Sequence, residues 1–266
     1  VAEKRRRVKI RAWWIGAALL GLALSLPRAA PGAAPPQPMP RGADTALIAY
    51  GKVLLEQTPR YLGSYITARM ACSACHLDAG TRAHGGSFVG TYAMFPQWNA
   101  RAHRFITLQD RLAECFLYSM NGRPPAYDSR EMVALTAYIA YLSRGTIVGT
   151  GRPDQGFVTL HAAHAGDPVA GELIYRTRCI SCHGANGDGG PAGAAPPLWG
   201  PYSFNSGAGM NRKMAAFVKA VMPLNAPGSL TDQQATDVAA FVLLHPRPQF
   251  DPKRTIVFPS RPAGAF

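Results

Sequence analysis

Apolar residues recur every three or four positions along DTALIAYGKVLLEQ (44–57), DSREMVALTAYIAYLSRG (128–145) and TDQQATDVAAFVLLH (231–245). That spacing matches the 3.6-residue turn of a helix that lays one apolar stripe against a core. A shorter stretch of the same kind, DPVAGELIYRTR, leads from Asp167 to Arg178. Helix-start chemistry stands where this reading needs it. Asp44 is placed to cap the first segment, and Asp128 with Glu131 stands at capping-box spacing before the second. Thr231 with Gln234 does the same before the last, and Gly145 is placed to end the second. Residues 145–167 are glycine-rich without sustained periodicity and read as a linker between two halves. From Pro246 onward the prolines forbid a helix, so the tail is expected to run as an extended strap over the surface. The expected fold class is all-α.

One apolar run does not belong to this pattern. AWWIGAALLGLALSL (12–26) is uninterrupted, follows the basic run VAEKRRRVKIR and precedes the small, proline-rich PRAAPGAAPP. Charged, apolar and small-residue regions in that order are those of a signal peptide. The run is short of the ~20 residues that span a bilayer. Residues 1–34 are therefore expected to be a cleaved signal peptide or a retained N-terminal anchor, with 12–26 as the membrane tether in the second case. Either way the body is exported, and the expected location is the periplasm. This segment also carries about half of the net charge of +13, leaving a moderately basic body. Such a surface draws anions or an acidic partner. Nucleic acid is excluded as a partner, because no Lys/Arg tract lies beyond the N-terminus. A hydrophobic fraction of 47% rules against a disordered chain.

Candidate chemistry is concentrated in the cysteines. Four of the five fall in two copies of one pattern: Cys72, Cys75 and His76 in CSACH, and Cys179, Cys182 and His183 in CISCH. Cys-x-x-Cys-His is the attachment pattern of c-type haem. The thiols add across the porphyrin vinyl groups, and the adjacent histidine points its imidazole at the iron. A redox disulfide or half a zinc site competes for a bare Cys-x-x-Cys. A following histidine, twice over in an exported chain, favours two covalently bound haems c.

Each iron then needs a sixth ligand or an open face. In the second half Met222 is the expected ligand, since a thioether suits iron of high potential and Pro223 shapes its loop. Met210 and Met214 in the same stretch are rivals whose ordinary use is core packing. Pro197 in PPLWG is expected to offer its carbonyl to the second nitrogen of His183. The fifth cysteine, Cys115, follows His76 by 39 residues, the interval that separates Met222 from His183. It can be a buried free thiol. Its position instead makes it the candidate ligand of the first iron, where a thiolate lowers the potential and leaves a sulfur nucleophile beside the metal.

Several stretches together resemble a known family. MACSACHLDAGT, YAMFPQWNARAHRFITLQDRLAECFLYSMNGRPPAYDS, EMVALTAYIAYLS, CHGANGDGG, PPLWGPYSFNSGAGMNR and TDQQATDVAAFV look like the dihaem thiosulfate dehydrogenases, over roughly residues 45–250. The resemblance implies two tandem cytochrome c-like domains. The first, 35–144, carries a His76/Cys115 catalytic haem; the second, 168–266, carries a His183/Met222 electron-transfer haem. It implies oxidation of two thiosulfates to tetrathionate, reversible in some relatives, with electrons passing from the first haem to the second. An external acceptor such as a small cytochrome c takes them from there. It also implies that the substrate anion sits near Cys115, held by Arg101, Arg111 and Ser119, with Arg123 a weaker match. Two departures stand out. Leu117-Tyr118 replaces the Glu-Arg common after Cys-Phe, and Val221 stands where some members place a lysine beside the methionine, with Lys219 three residues before Met222. The related SoxA cytochromes share the cysteine-ligated haem, and a non-catalytic dihaem electron carrier would treat Cys115 as a spectator.

Overall fold

The computed structural model describes residues 43–190, 195–251 and 253. Residues 1–42, 191–194, 252 and 254–266 lie outside the described residues, and with them the expected signal or anchor and the end of the tail. All described residues fall in one compact unit. In chain order its main helices are Ala43–Glu56, Leu108–Tyr118, Arg130–Leu142, Pro168–Arg178, Met210–Val221 and Asp232–Leu244. The all-α expectation holds, with one addition: Gln97–Asn99 pairs antiparallel with Arg104–Ile106 in a two-stranded ribbon.

In each half the first and last helices pack together, Ala43–Glu56 on Arg130–Leu142 and Pro168–Arg178 on Asp232–Leu244. Both crossings are made at a glycine. A Cβ on Gly51 would strike the Ala134 carbonyl, and one on Gly171 the Asp237 carbonyl. The first core is built from Leu54, Leu55, Met132, Leu135 and Ile139. A second core joins Tyr175, Phe204, Met214 and Val238 to Met70 and Met120 of the first half, so apolar packing crosses from one half to the other.

The caps differ in part from those expected. Asp44 lies within the first turn of its helix rather than before it. Ser129, not Asp128, caps Arg130–Leu142: its extended backbone (φ −64°, ψ 148°) lets its hydroxyl accept from the Met132 N–H. The Thr231/Gln234 box forms as read. A box that the periodicity passed over, Thr107 with Asp110, starts the helix that carries Cys115.

The linker is pinned at both ends. The Gly149 N–H reaches the Ala93 carbonyl, while the N–H groups of His161 and Asp167 reach the carboxylates of Asp232 and Asp237. The tail runs as an extended strap through residue 251. The Gly200 N–H donates to Pro246 O, Ser206 N–H to Pro248 O, and the Phe250 N–H to Ser206 Oγ. Its Phe250 ring meets Tyr118 edge-on at 4.8 Å, joining the strap to the first half.

Candidate functional site

Two cavities flank the shared packing between the halves. The first, about 490 Å³, is lined by Cys72, Cys75, His76 and Cys115. The second, about 1220 Å³, is lined by Cys179, Cys182, His183 and Met222. Met70 and Ala71 line both, so the cavities share a wall.

The first motif is held by its surroundings. Buried Thr58 accepts from the Cys72 N–H (2.9 Å) and donates to the Leu54 carbonyl (2.9 Å), tying the motif to the end of the first helix. The His76 ring stacks on Phe88 at 4.0 Å. Its Nδ1–H donates to the Gly86 carbonyl at 2.6 Å, which leaves Nε2 as the free nitrogen. Burial holds the imidazole below its ordinary pKa, in the neutral form that binds a metal, with the Gly86 bond acting weakly the other way. Gly86 itself has φ +70°, and a Cβ there would strike the Cys75 carbonyl.

The second motif follows the same logic with one correction. His183 Nδ1 pairs with the carbonyl of Pro196 (3.1 Å), not with that of Pro197. Successive carbonyls of an extended proline run point to different sides, so a one-residue offset decides which of them faces the ring. Pro197 lines the cavity beside it. Burial again lowers the imidazole pKa. Met222 ends the helix Met210–Val221 with extended backbone. Of its rivals, Met214 also lines this cavity but is buried in the core, and Met210 lines the first cavity instead. Lys219 points elsewhere: its Nζ donates to the Leu230 carbonyl (2.7 Å) and pairs with Asp232 (3.4 Å).

Cys115 sits on the helix Leu108–Tyr118, near its end, where the Cys115 carbonyl takes the N–H groups of both Ser119 and Met120 (3.0 Å each). Burial first and the neighbouring Cys72 second push its thiol up to about 12, with Arg111 pulling the other way. A thiolate at such a place needs a cation bonded to the sulfur, as a metal ion provides. No disulfide joins any of the five cysteines. Among the described residues no cluster of three His, Cys, Asp or Glu forms that could hold a bare metal ion. The donor sets fit a covalently held haem in each cavity instead. Paired thiols and an imidazole come from one segment, and a further sulfur comes from a separate helix end.

The anion-binding candidates gather at the first cavity. Arg101, Arg111 and Ser119 all line it. The Arg101 guanidinium lies 4.1 Å over the Tyr118 ring and donates to the Gly207 carbonyl of the second half (3.2 Å). Arg111 Nη1 donates to Glu114 Oε2 at 2.6 Å. Arg123 is not among the lining residues, and its N–H is bound by Tyr65 O. Sequence reasoning missed Asn99, Glu114, Arg212 and Lys213, which line the same cavity. The last two belong to GMNRKM, read only for its methionines; their basic character was the available signal.

Two covalent-haem motifs in helical halves, each beside a cavity, define a c-type cytochrome. Family models agree: the SoxA/TsdA cytochrome c domain matches residues 64–148, and the cytochrome c model matches residues 168–245. Among curated proteins, the thiosulfate dehydrogenase of Allochromatium vinosum is 44% identical over 222 residues, covering 80% of this chain and 82% of that protein. The thiosulfate dehydrogenase of Stutzerimonas stutzeri is 40% identical, covering 82% of this chain and 74% of that one. Among solved structures, the thiosulfate dehydrogenase TsdBA of Marichromatium purpuratum superposes with a TM-score of 0.76 at 34% identity; the match covers 83% of this chain and 50% of that longer one. The chain belongs to the thiosulfate dehydrogenase family of oxidoreductases.

Proposed function

We propose that this chain is a periplasmic dihaem enzyme that joins two thiosulfates into tetrathionate. Residues 35–144 handle substrate, residues 168–266 pass electrons outward, and 145–167 join them. The observation that carries this reading is the Cys115 thiol in one cavity with a haem-attachment motif and two arginines. Cys72 and Cys75 would anchor the first haem, with His76 and Cys115 holding its iron, and Cys179 and Cys182 the second, with His183 and Met222 holding its iron. When bound, the two haems supply one-electron couples, lower in potential with the thiolate ligand and higher with the thioether.

The chain's own residues perform the sulfur chemistry. Arg101 and Arg111 hold the sulfonate oxygens with paired N–H groups, and the Ser119 hydroxyl adds a third donor. The Cys115 thiolate bonds to the outer sulfur of one thiosulfate, giving Cys115–S–S–SO₃⁻ as two electrons leave. The outer sulfur of a second thiosulfate attacks that same substrate sulfur and expels the Cys115 thiolate, releasing tetrathionate. No proton moves in either step, and the reverse sequence cleaves tetrathionate. The electrons pass to an external acceptor such as a small cytochrome c.

Purified holoprotein mixed with thiosulfate and ferricyanide tests this directly. Tetrathionate should form without any partner protein. A Cys115→Gly variant should keep both haems by absorbance and lose turnover by more than about a hundredfold, as expected when a nucleophile is removed. Full activity in that variant refutes the role of Cys115. An inactive wild type favours an electron carrier or a SoxA-like subunit that needs a carrier protein.

A further inference from the structure

The two arginines at the first cavity are joined along its wall by an amide and a carboxylate, Asn99 and Glu114. Asn99 ends the first strand of the ribbon and is buried, as is Glu114, one residue before Cys115. Asn99 Oδ1 accepts from the backbone N–H of Arg101 (2.9 Å) and Ala102 (3.2 Å). Its Nδ2 donates to Glu114 Oε1 (2.7 Å), and Glu114 Oε2 accepts from Arg111 Nη1 (2.6 Å). The chain of contacts therefore runs from the backbone of one arginine to the guanidinium of the other.

We infer that Asn99 and Glu114 are positioning residues that set Arg101 and Arg111 as a matched pair for the sulfonate oxygens of the dianion. This deepens the thiosulfate reading and rests on it. A buried carboxylate is costly unless both its oxygens are satisfied. Here one oxygen is fixed by a neutral amide and the other by the guanidinium, so the carboxylate cannot turn away. Arg111 is tethered by one nitrogen, which leaves its other N–H groups for an anion. Arg101 is fixed at its backbone by the same amide, and at its head by Tyr118 and the Gly207 carbonyl.

Fastening the ribbon to the helix does not require this pair. Arg104 already bridges to Asp110 of that helix at 3.1 Å, and Tyr127 donates to the same carboxylate at 2.6 Å. What Asn99 and Glu114 add is the relative placement of the two cations that the bound dianion must meet together.

The test is a polarity swap. Asn99→Asp sets two carboxylates face to face and releases Glu114 from its post. Glu114→Gln leaves one acceptor oxygen where two are used, so the amide cannot accept from both Asn99 Nδ2 and Arg111 Nη1. The double variant N99D/E114Q restores the sequence of donors and acceptors. Its carboxylate at position 99 accepts from the amide N–H at position 114, and the amide carbonyl at 114 accepts from Arg111. Each single variant should raise KM for thiosulfate about tenfold at little change in kcat, the double returning to within about threefold of wild type. Haem content and the thiolate spectrum should be unchanged in all three. Unchanged KM in the singles, loss confined to kcat, or a double variant no better than the worse single overturns the assignment. Should one single variant fail to load haem, the other single against the double gives the same comparison. Wild-type turnover and its loss in Cys115→Gly report separately on the underlying reaction.

Discussion

Tyr118 is the seat on which the head of Arg101 rests. The ring is buried, carries the Arg101 guanidinium on its face, and is backed by Phe250 of the strap. A guanidinium over an aromatic face gains ~0.5–2 kcal/mol, and the planar ring also fixes its direction. Tyr118→Leu should therefore raise KM for thiosulfate between about twofold and tenfold, while Tyr118→Phe stays within about twofold of wild type. Steady-state kinetics on the two variants checks it, and equal effects would show that the phenol, not the ring face, matters. At this scale the sequence was legible where chemistry is local. Cys72, Cys75 and His76 read directly, because adjacent residues must meet one porphyrin. The Asn99–Glu114 link was not legible, since its partners are fifteen residues apart and meet only once the ribbon and helix are placed. The choice of Pro196 over Pro197 depends on which way a carbonyl points, which composition does not reveal.

Among the elements, the helix Leu108–Tyr118 decides the most, since it carries Arg111, Glu114 and Cys115 together. Their spacing puts Arg111 and Glu114 one turn apart, so the ion pair forms along the same face that presents the thiol. Thr107 and Asp110 start this helix reciprocally: Thr107 Oγ1 accepts from the Asp110 N–H (3.2 Å) and Asp110 Oδ2 from the Thr107 N–H (2.9 Å). Thr107→Ala should lower the stability of the holoprotein to urea by about 1 kcal/mol, read from the unfolding midpoint. The signal for this helix was in the sequence as a Thr-x-x-Asp spacing. It was masked by a short segment in which charged residues interrupt the apolar stripe and two of them, Asp110 and Glu114, face inward. The long helices read well because most of their polar residues lie outside the core, buried Asp237 excepted. Cap identity read less well where two candidates adjoin, as with Asp128 and Ser129, because only the backbone of the residue at the boundary decides.

Across the whole molecule, the repeat of two motifs reads as two tandem halves, and the structure builds each cavity from both. Ser73, Ala74 and Leu77 of the first half line the second cavity, and Phe204, Gly207, Arg212 and Lys213 of the second half line the first. Met70 and Met120 read as ordinary apolar residues in sequence, and only the fold makes them the seam between halves. The crossed lining adds cations of the second half to the first cavity. Arg212 and Lys213 are exposed and line the same cavity as Arg111, which is already paired with Glu114. Exposed cations of this kind act on an incoming dianion over a distance and are screened by salt, with a Debye length of about 8 Å at physiological ionic strength. Arg212→Ala combined with Lys213→Ala should therefore raise KM for thiosulfate roughly threefold to tenfold at low salt and leave kcat unchanged. The gap from wild type should close as ionic strength rises, measured by initial rates from dilute buffer to about 0.5 M salt. A deficit that persists undiminished at high salt would mean that the two side chains touch the substrate or the haem directly instead of guiding the anion in.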